Sequence, residues 1–207
     1  EITGAKPIFV DVDFKHWVSS IASLEKALKK FRPKAFIAVD LYGQSSDYDI
    51  ITDLCEEYNV LLIEDAAGAL GAKYKDRSVG SLSDAGIFSF NGNKVFSTGA
   101  GGALILNKQG LHRKGKVLYT QARIKDLYDY ADVGYNYRMP NLNASLGVSQ
   151  IPFLKKLIKK KRSIADKYDK SFSVIKHFEL MPRKHWCQSS CWLYSLRFQS
   201  LKKTKSF

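Results

Sequence analysis

Three short apolar runs between Val60 and Leu106 constrain this chain more than any other feature. Val60-Leu61-Leu62-Ile63 reads as a buried strand and ends on two carboxylates, Glu64 and Asp65. Gly86-Ile87-Phe88-Ser89-Phe90 reads as a second strand, which delivers Ser89 and then, within a loop, Lys94. Ala103-Leu104-Ile105-Leu106 is a third, following the glycines Gly99, Gly101 and Gly102. An acid, a hydroxyl and an amine thus fall at or just past the end of an apolar strand. In open α/β sheets that edge is where ligands bind.

The flanking segments fit the same architecture. Residues 7–11, PIFVD, read as a strand, and a helix follows with Ser23 as its cap and Leu24, Ala27, Leu28 and Phe31 at helical spacing. Pro33 stops it. Residues 35–41 then read as a buried strand, Tyr42-Gly43-Gln44 as a loop, and residues 47–57 as a helix bearing Ile50, Ile51, Leu54 and Cys55. Strand and helix alternate up to Ile63, which predicts right-handed crossovers and mostly parallel pairing. Downstream come a helix over 108–121, a tyrosine-rich loop over 122–137, and a long helix over 141–172 interrupted at Pro152. Residues 192–198, WLYSLRF, read as a further strand.

The acid, hydroxyl and amine suit pyridoxal phosphate (PLP). A lysine amine forms a Schiff base with an aldehyde. A carboxylate keeps the pyridine nitrogen protonated, so that the ring works as an electron sink. A hydroxyl and backbone N–H groups hold a phosphate. Each residue also has an ordinary structural reading: Asp65 as a helix cap, Lys94 as a solvated loop lysine. Asp40 and Tyr42 either touch cofactor or sugar, or act as a cap and a packed aromatic. Arg138 binds a substrate anion or forms an interface ion pair.

Composition narrows the classes. The chain has 207 residues, 45% of them hydrophobic, enough for one good core. No run approaches the roughly 20 apolar residues of a membrane helix, and no secretory signal is visible. Three cysteines, Cys55, Cys187 and Cys191, suit a reducing compartment, and with His185 they match no standard zinc spacing. The net charge of +13 reads as a lysine-rich solvated surface, carried by blocks such as Lys155-Lys156, residues 159–162 and Lys202-Lys203. Those blocks lack the aromatic interleaving of a nucleic-acid site. The expected protein is cytoplasmic and binds neither nucleic acid nor membrane.

EDAAGALGA, SFNGNK, STGAGGALI and GYNYRMPNLNASLG, in that order, resemble the DegT/DnrJ/EryC1/StrS family of sugar aminotransferases, from about Gly4 to about Phe198. The resemblance implies an α/β fold, the type I PLP-dependent aminotransferase large domain, an α/β/α arrangement on a mostly parallel sheet. It implies Lys94 as the Schiff-base lysine, Asp65 as partner of the pyridine nitrogen, and Ser89 on the phosphate. Asn136 of GYNYR would reach the PLP phosphate of a neighbouring subunit in a homodimer, with Tyr42 and Arg138 as substrate contacts. Two positions depart from the family pattern: Gly68, where many members are polar, and Ala100, where many have Glu. A sugar-dehydrating relative carries histidine at the Lys94 position, so lysine favours transamination.

The implied reaction converts a nucleotide-linked 4-keto-6-deoxy sugar to its 4-amino sugar in bacterial glycan biosynthesis, with glutamate as donor. SFNGNK resembles members acting on UDP-linked N-acetylated keto sugars. The implied domains are part of the PLP-binding large domain over 1–140, a connecting helix over 141–172, and the start of a small C-terminal domain over 173–207. The family's N-terminal helix and Ser-Gly-Thr phosphate turn, and most of the small domain, are expected to be lacking, as in a fragment. The rival expectation is a catalytically inactive, truncated scaffold.

Overall fold

In the computed structural model, which describes residues 3–124 and 128–198, the first helix is α1 (Ile21–Phe31). Its cap is Ser20, not Ser23: the Ser20 hydroxyl accepts the Ser23 amide at 3.3 Å. Arg32 ends it in a left-handed conformation, φ 43°, one residue before Pro33. Strand β1 (Ala35–Val39), helix α2 (Tyr48–Glu57) and strand β2 (Leu61–Asp65) follow. A small hairpin, β3 (Lys73–Tyr74) and β4 (Arg77–Ser78), leads to β5 (Ala85–Ser89) and β6 (Gly102–Leu106). Then come α3 (Leu111–Tyr119), α4 (Asn141–Gln150), α5 (Leu154–Phe172), β7 (Phe178–Leu180), β8 (Cys187–Gln188) and β9 (Leu196–Phe198).

The principal sheet has the order β1-β2-β5-β6. β1, β2 and β5 run parallel, and β6 runs antiparallel to β5. The reversal has a simple cause. No crossover helix lies between β5 and β6, so the loop over 90–101 can only return along the same edge. Ser89 therefore pairs with Gly102, the first residue of β6.

Register divides the strands into two faces, because side chains alternate along a strand. Ile37 pairs with Ile63, Val39 with Asp65, Asp65 with Ile87, and Ile87 with Leu104. These residues share one face with Ser89. The opposite face carries Phe36, Ala38, Leu62 and Glu64, all buried, and α1 and α2 cover it with Leu24, Leu28, Tyr48, Ile51 and Cys55. Full burial of each such aliphatic side chain stabilises the fold by about 1.5–3 kcal/mol. The first face is more open, with Ile37 at 55% and Leu104 at 55% exposure. α3 lies against its β6 edge, where Gly115 adjoins Leu106 and Leu104.

Several local expectations are corrected. Residues 7–11 pair with no strand among the described residues, and Phe9 is 92% exposed; only a bridge from Val12 to Ser19 forms nearby. β1 is shorter than residues 35–41, and it alternates exposed and buried positions instead of being buried throughout. The helix expected over 108–121 is trimmed to Leu111–Tyr119, since Gly110 precedes it at φ 84°. The interruption expected at Pro152 does form, as a 3-10 turn over Ile151–Phe153. Of residues 192–198 only Leu196–Phe198 pairs, with β7. Residues 125–127 of the tyrosine-rich loop and 199–207 of the C-terminal end lie outside the described residues.

A buried pair of acids, Asp40 and Glu64, sits under the sheet. The Glu64 carboxylate accepts the Gly80 amide and, at 3.0 Å, the Leu82 amide. Gly86 makes this possible, since a Cβ there would lie 1.9 Å from the Gly80 carbonyl oxygen. Asp40 accepts the Ser46 amide at 2.9 Å and the Tyr48 hydroxyl at 3.0 Å, and its side chain also hydrogen-bonds that of Glu64. Burial, then the charge of Glu64, pushes Asp40 well above the ordinary carboxylate range. Glu64 is raised by burial too, but its two backbone amides oppose that. Of the two, Asp40 is thus the one that holds a proton more readily.

An acid whose folded pKa lies above its unfolded value loses stabilisation as pH rises past the unfolded value. Asp40→Asn keeps the shape and cannot ionise. We expect it to flatten the loss of stability that sets in as pH rises above the ordinary carboxylate value of about 4, measured by urea denaturation.

Candidate active site

Asp65 and Ser89 reach the C-terminal edge of the sheet on its open face, on the neighbouring strands β2 and β5. The alternation that turns Glu64 into the core turns Asp65 out of it. Asp65 Oδ1 accepts the Ala67 amide at 3.0 Å, an N-terminal turn contact. Its other oxygen accepts no hydrogen bond among the described residues. Ser89 Oγ accepts the Asn91 amide at 3.4 Å, and its hydroxyl proton is free for another acceptor.

Lys94 sits in the tight β5–β6 loop. The Lys94 amide donates to the Asn91 carbonyl at 3.0 Å, and the Thr98 amide donates to the Phe90 carbonyl at 2.9 Å. Phe90 and Phe96 pack edge to face beneath, with ring centroids 4.9 Å apart. α4 braces the outer part of the loop, where Asn143 Nδ2 donates to the Thr98 carbonyl at 2.6 Å. The Lys94 side chain is half-buried. Burial lowers its pKa, and the charge of Asp65 partly opposes that. The amine and the carboxylate therefore sense each other.

Trp192 is the residue of this site that sequence reasoning missed. Its ring centroid lies 3.6 Å from Lys94 Nζ, and its Nε1 donates to the Asn93 carbonyl at 2.8 Å. Nothing in WLYSLRF distinguished a site aromatic from a strand aromatic. Tyr42 does approach the site: it has φ 56°, and its ring is 6.3 Å from that of Trp192. Asp40, 1% exposed, lies in the core and reaches neither sugar nor cofactor.

The segment bearing Trp192 is clasped to the Tyr42 loop. The Ser190 amide donates to the Gly43 carbonyl at 3.2 Å, and Cys187 Sγ accepts the Ser45 amide at 3.2 Å. Arg162 of α5 completes the clasp, donating to the Ser189 carbonyl at 2.6 Å and the Gly71 carbonyl at 3.2 Å. This corrects the reading of residues 159–162 as solvated surface: Lys161 also donates, to the Trp192 carbonyl, at 3.2 Å.

Asn136 and Arg138 are not brought to Lys94. They stand exposed after α3, where the Asn136 backbone bridges to Thr120, and neither side chain has a hydrogen-bond partner among the described residues. Ala100 is exposed, and its carbonyl accepts the Thr98 hydroxyl. His185 packs on Trp186, and no group of three metal-ligating side chains exists among the described residues. No helix among them is long and apolar enough to cross a membrane.

The donor set matches the chemistry of PLP. It offers an amine of lowered basicity for the aldehyde, a carboxylate with a free oxygen for the pyridine N–H, and a hydroxyl for phosphate. Gly68 belongs to the same arrangement, since a Cβ there would lie 2.8 Å from a Trp192 ring carbon. Overpacking of this kind costs about 1–3 kcal/mol. Gly68→Ala should therefore lower the thermal midpoint by a few degrees, and a Gly68→Ala/Trp192→Phe pair should lower it by less than the sum of the single changes.

Comparison with known proteins agrees with this geometry. The sequence matches the DegT/DnrJ/EryC1/StrS aminotransferase family over residues 1–206. It is 39% identical to GDP-perosamine synthase of Escherichia coli O157:H7, over 83% of this chain and 47% of that protein. It is 35% identical to UDP-4-amino-4,6-dideoxy-N-acetyl-beta-L-altrosamine transaminase of Campylobacter jejuni subsp. jejuni (strain 81-176), over 94% of this chain and 53% of that one. The solved PLP form of Spr1654 from Streptococcus pneumoniae superposes with a TM-score of 0.87 at 25% identity, covering 95% of this chain and 56% of that one. The chain thus spans about half the length of the relatives it matches. It belongs to the DegT/DnrJ/EryC1/StrS aminotransferase family.

Proposed function

We propose that this chain carries the PLP-binding face of a transaminase that converts a nucleotide-linked 4-keto-6-deoxy sugar to the 4-amino sugar, with glutamate as amino donor. The observation that carries this reading is that Asp65 and Ser89 end the neighbouring strands β2 and β5 and that Lys94 stands in the loop that follows β5. The relatives named for GDP-perosamine and for a UDP-linked altrosamine support a nucleotide-sugar substrate. The resemblance of SFNGNK favours a UDP-linked N-acetylated sugar.

PLP, when bound, supplies the electron sink that acidifies the carbon next to the reacting nitrogen. Lys94 Nζ would hold the cofactor, and as a free amine it would serve as the base and acid that carries a proton between carbon atoms. An amine whose basicity burial has lowered suits both tasks. Asp65, through its unpaired oxygen, would keep a proton on the pyridine nitrogen, and the Ser89 hydroxyl would donate to the phosphate. Tyr42 borders the sugar on the Trp192 side. Asn136 and Arg138 serve across a homodimer boundary, Asn136 to the neighbour's phosphate and Arg138 to a substrate anion. Their exposure and lack of partners among the described residues fit that use. The large domain is assigned residues 1–140, the connecting helix 141–172 and the small domain the rest, in a cytoplasmic enzyme.

Borohydride treatment of the purified chain with PLP tests the assignment. It should fix the cofactor on the peptide containing Lys94, and Lys94→Ala should abolish that adduct; an equal yield from the variant would defeat the reading. Asp65→Ala should still capture PLP on Lys94 but should slow the glutamate-driven spectral change by at least about tenfold, the equivalent of one pKa unit of lost pairing.

A further inference from the structure

We propose that Trp192 is a positioning residue for Lys94: its indole face is the seat on which the lysine ammonium rests while the amine is not covalently engaged. The inference rests on the reading of Lys94 as the reactive amine and adds a residue to it.

The geometry is specific. Lys94 Nζ lies 3.6 Å from the ring centroid, within the range of a cation–π contact, and both side chains are half-buried. The indole is fixed on three sides. Its N–H is tied to the Asn93 carbonyl, so the loop that carries the amine also grips the seat. Its six-membered ring lies against Gly68, where a Cβ would come within 2.8 Å of Cε3 and 3.0 Å of Cζ3. The Trp192 backbone carbonyl accepts from Lys161 Nζ of α5, and Cys191 before it is held at φ 51°. A tryptophan that only filled space would need none of these restraints on its edge, face and backbone together.

The chemistry follows from the contact. An aromatic face favours the charged form of the amine, whereas burial favours the neutral form. The other charged group acting on Lys94 is Asp65, which also favours the ammonium. Trp192 thus offsets part of the cost of desolvating the lysine and fixes where its nitrogen waits. It also links the 186–192 segment to the reactive amine, since any displacement of that segment takes the seat with it.

The test uses the purified chain without cofactor. Acylation by acetic anhydride is followed against pH on the Lys94 peptide by mass spectrometry, with the exposed Lys155 as internal reference. Trp192→Leu keeps an apolar cover but removes the aromatic face, so the Lys94 midpoint should fall by roughly half a pH unit to one. Trp192→Phe should keep the midpoint of the unaltered chain. Coincident curves for the Leu variant and the unaltered chain would overturn the proposal. A second reading needs no substitution: the Lys94 Hε protons of the unaltered chain should resonate upfield of the other lysines through the indole ring current, and ordinary shifts would also overturn it. Neither result depends on PLP, so a missing borohydride adduct would count against the cofactor assignment and not against this contact.

Discussion

Two backbone amides, those of Gly80 and Leu82, grip the Glu64 carboxylate from beneath the sheet, and the placement of the site depends on that grip. Neighbouring residues on a strand face opposite ways, so fixing Glu64 downward fixes Asp65 upward. A slip of one residue would bury Asp65 and expose Glu64, exchanging their roles. Glycine at 86 lets the two backbones approach closely enough for the grip to form, and glycine at 80 leaves room for the Phe88 ring. The same alternation on β5 puts Ser89 on the face of Asp65. The reversal of β6 then returns the chain to that edge, with Lys94 on the way.

Much of this was legible in the sequence. Apolar runs of four or five residues gave three of the four strands of the principal sheet, and Asp65, Ser89 and Lys94 stand at the edge that those runs implied. Periodicity could not say which carboxylate of Glu64-Asp65 faces the core; that took the motif, or the register. The failures share a cause. Residues 7–11 have strand composition, but pairing needs a neighbouring strand, and none lies alongside among the described residues. Ser23 resembled a cap because serine is common at that position, yet Ser20 has the free φ and ψ to be one.

The residues missed altogether act across long sequence separations. Trp192 meets Lys94 and Gly68 from more than ninety positions away, and Arg162 meets Gly71 from the same distance. Local pattern carries no signal of such pairings. A run of lysines with one arginine looks like a solvated face, and on α5 most of it is. The exception is the pair that turns inward, Lys161 and Arg162, whose hydrogen bonds end on backbone carbonyls and the Gln188 side-chain amide and not on acids. The departure at Gly68, unexplained from sequence, makes sense once Trp192 is seen to occupy the space that a side chain would need.

Arg162 has a consequence for how the chain can be divided. Its guanidinium binds carbonyls of two segments at once, after β2 at Gly71 and around the end of β8 at Gln188 and Ser189, while Ile158 on the same helix abuts Gly71. Helix α5 is therefore no mere spacer between two units; it is the joint that both sides share. A chimera built by exchanging C-terminal segments with a relative should be cut at the Pro152 turn, ahead of α5, so that the helix travels with residues 187–192. A cut after Phe172 would join a foreign segment to a clasp shaped for another partner, and lysine in place of Arg162 could not span both sets of carbonyls.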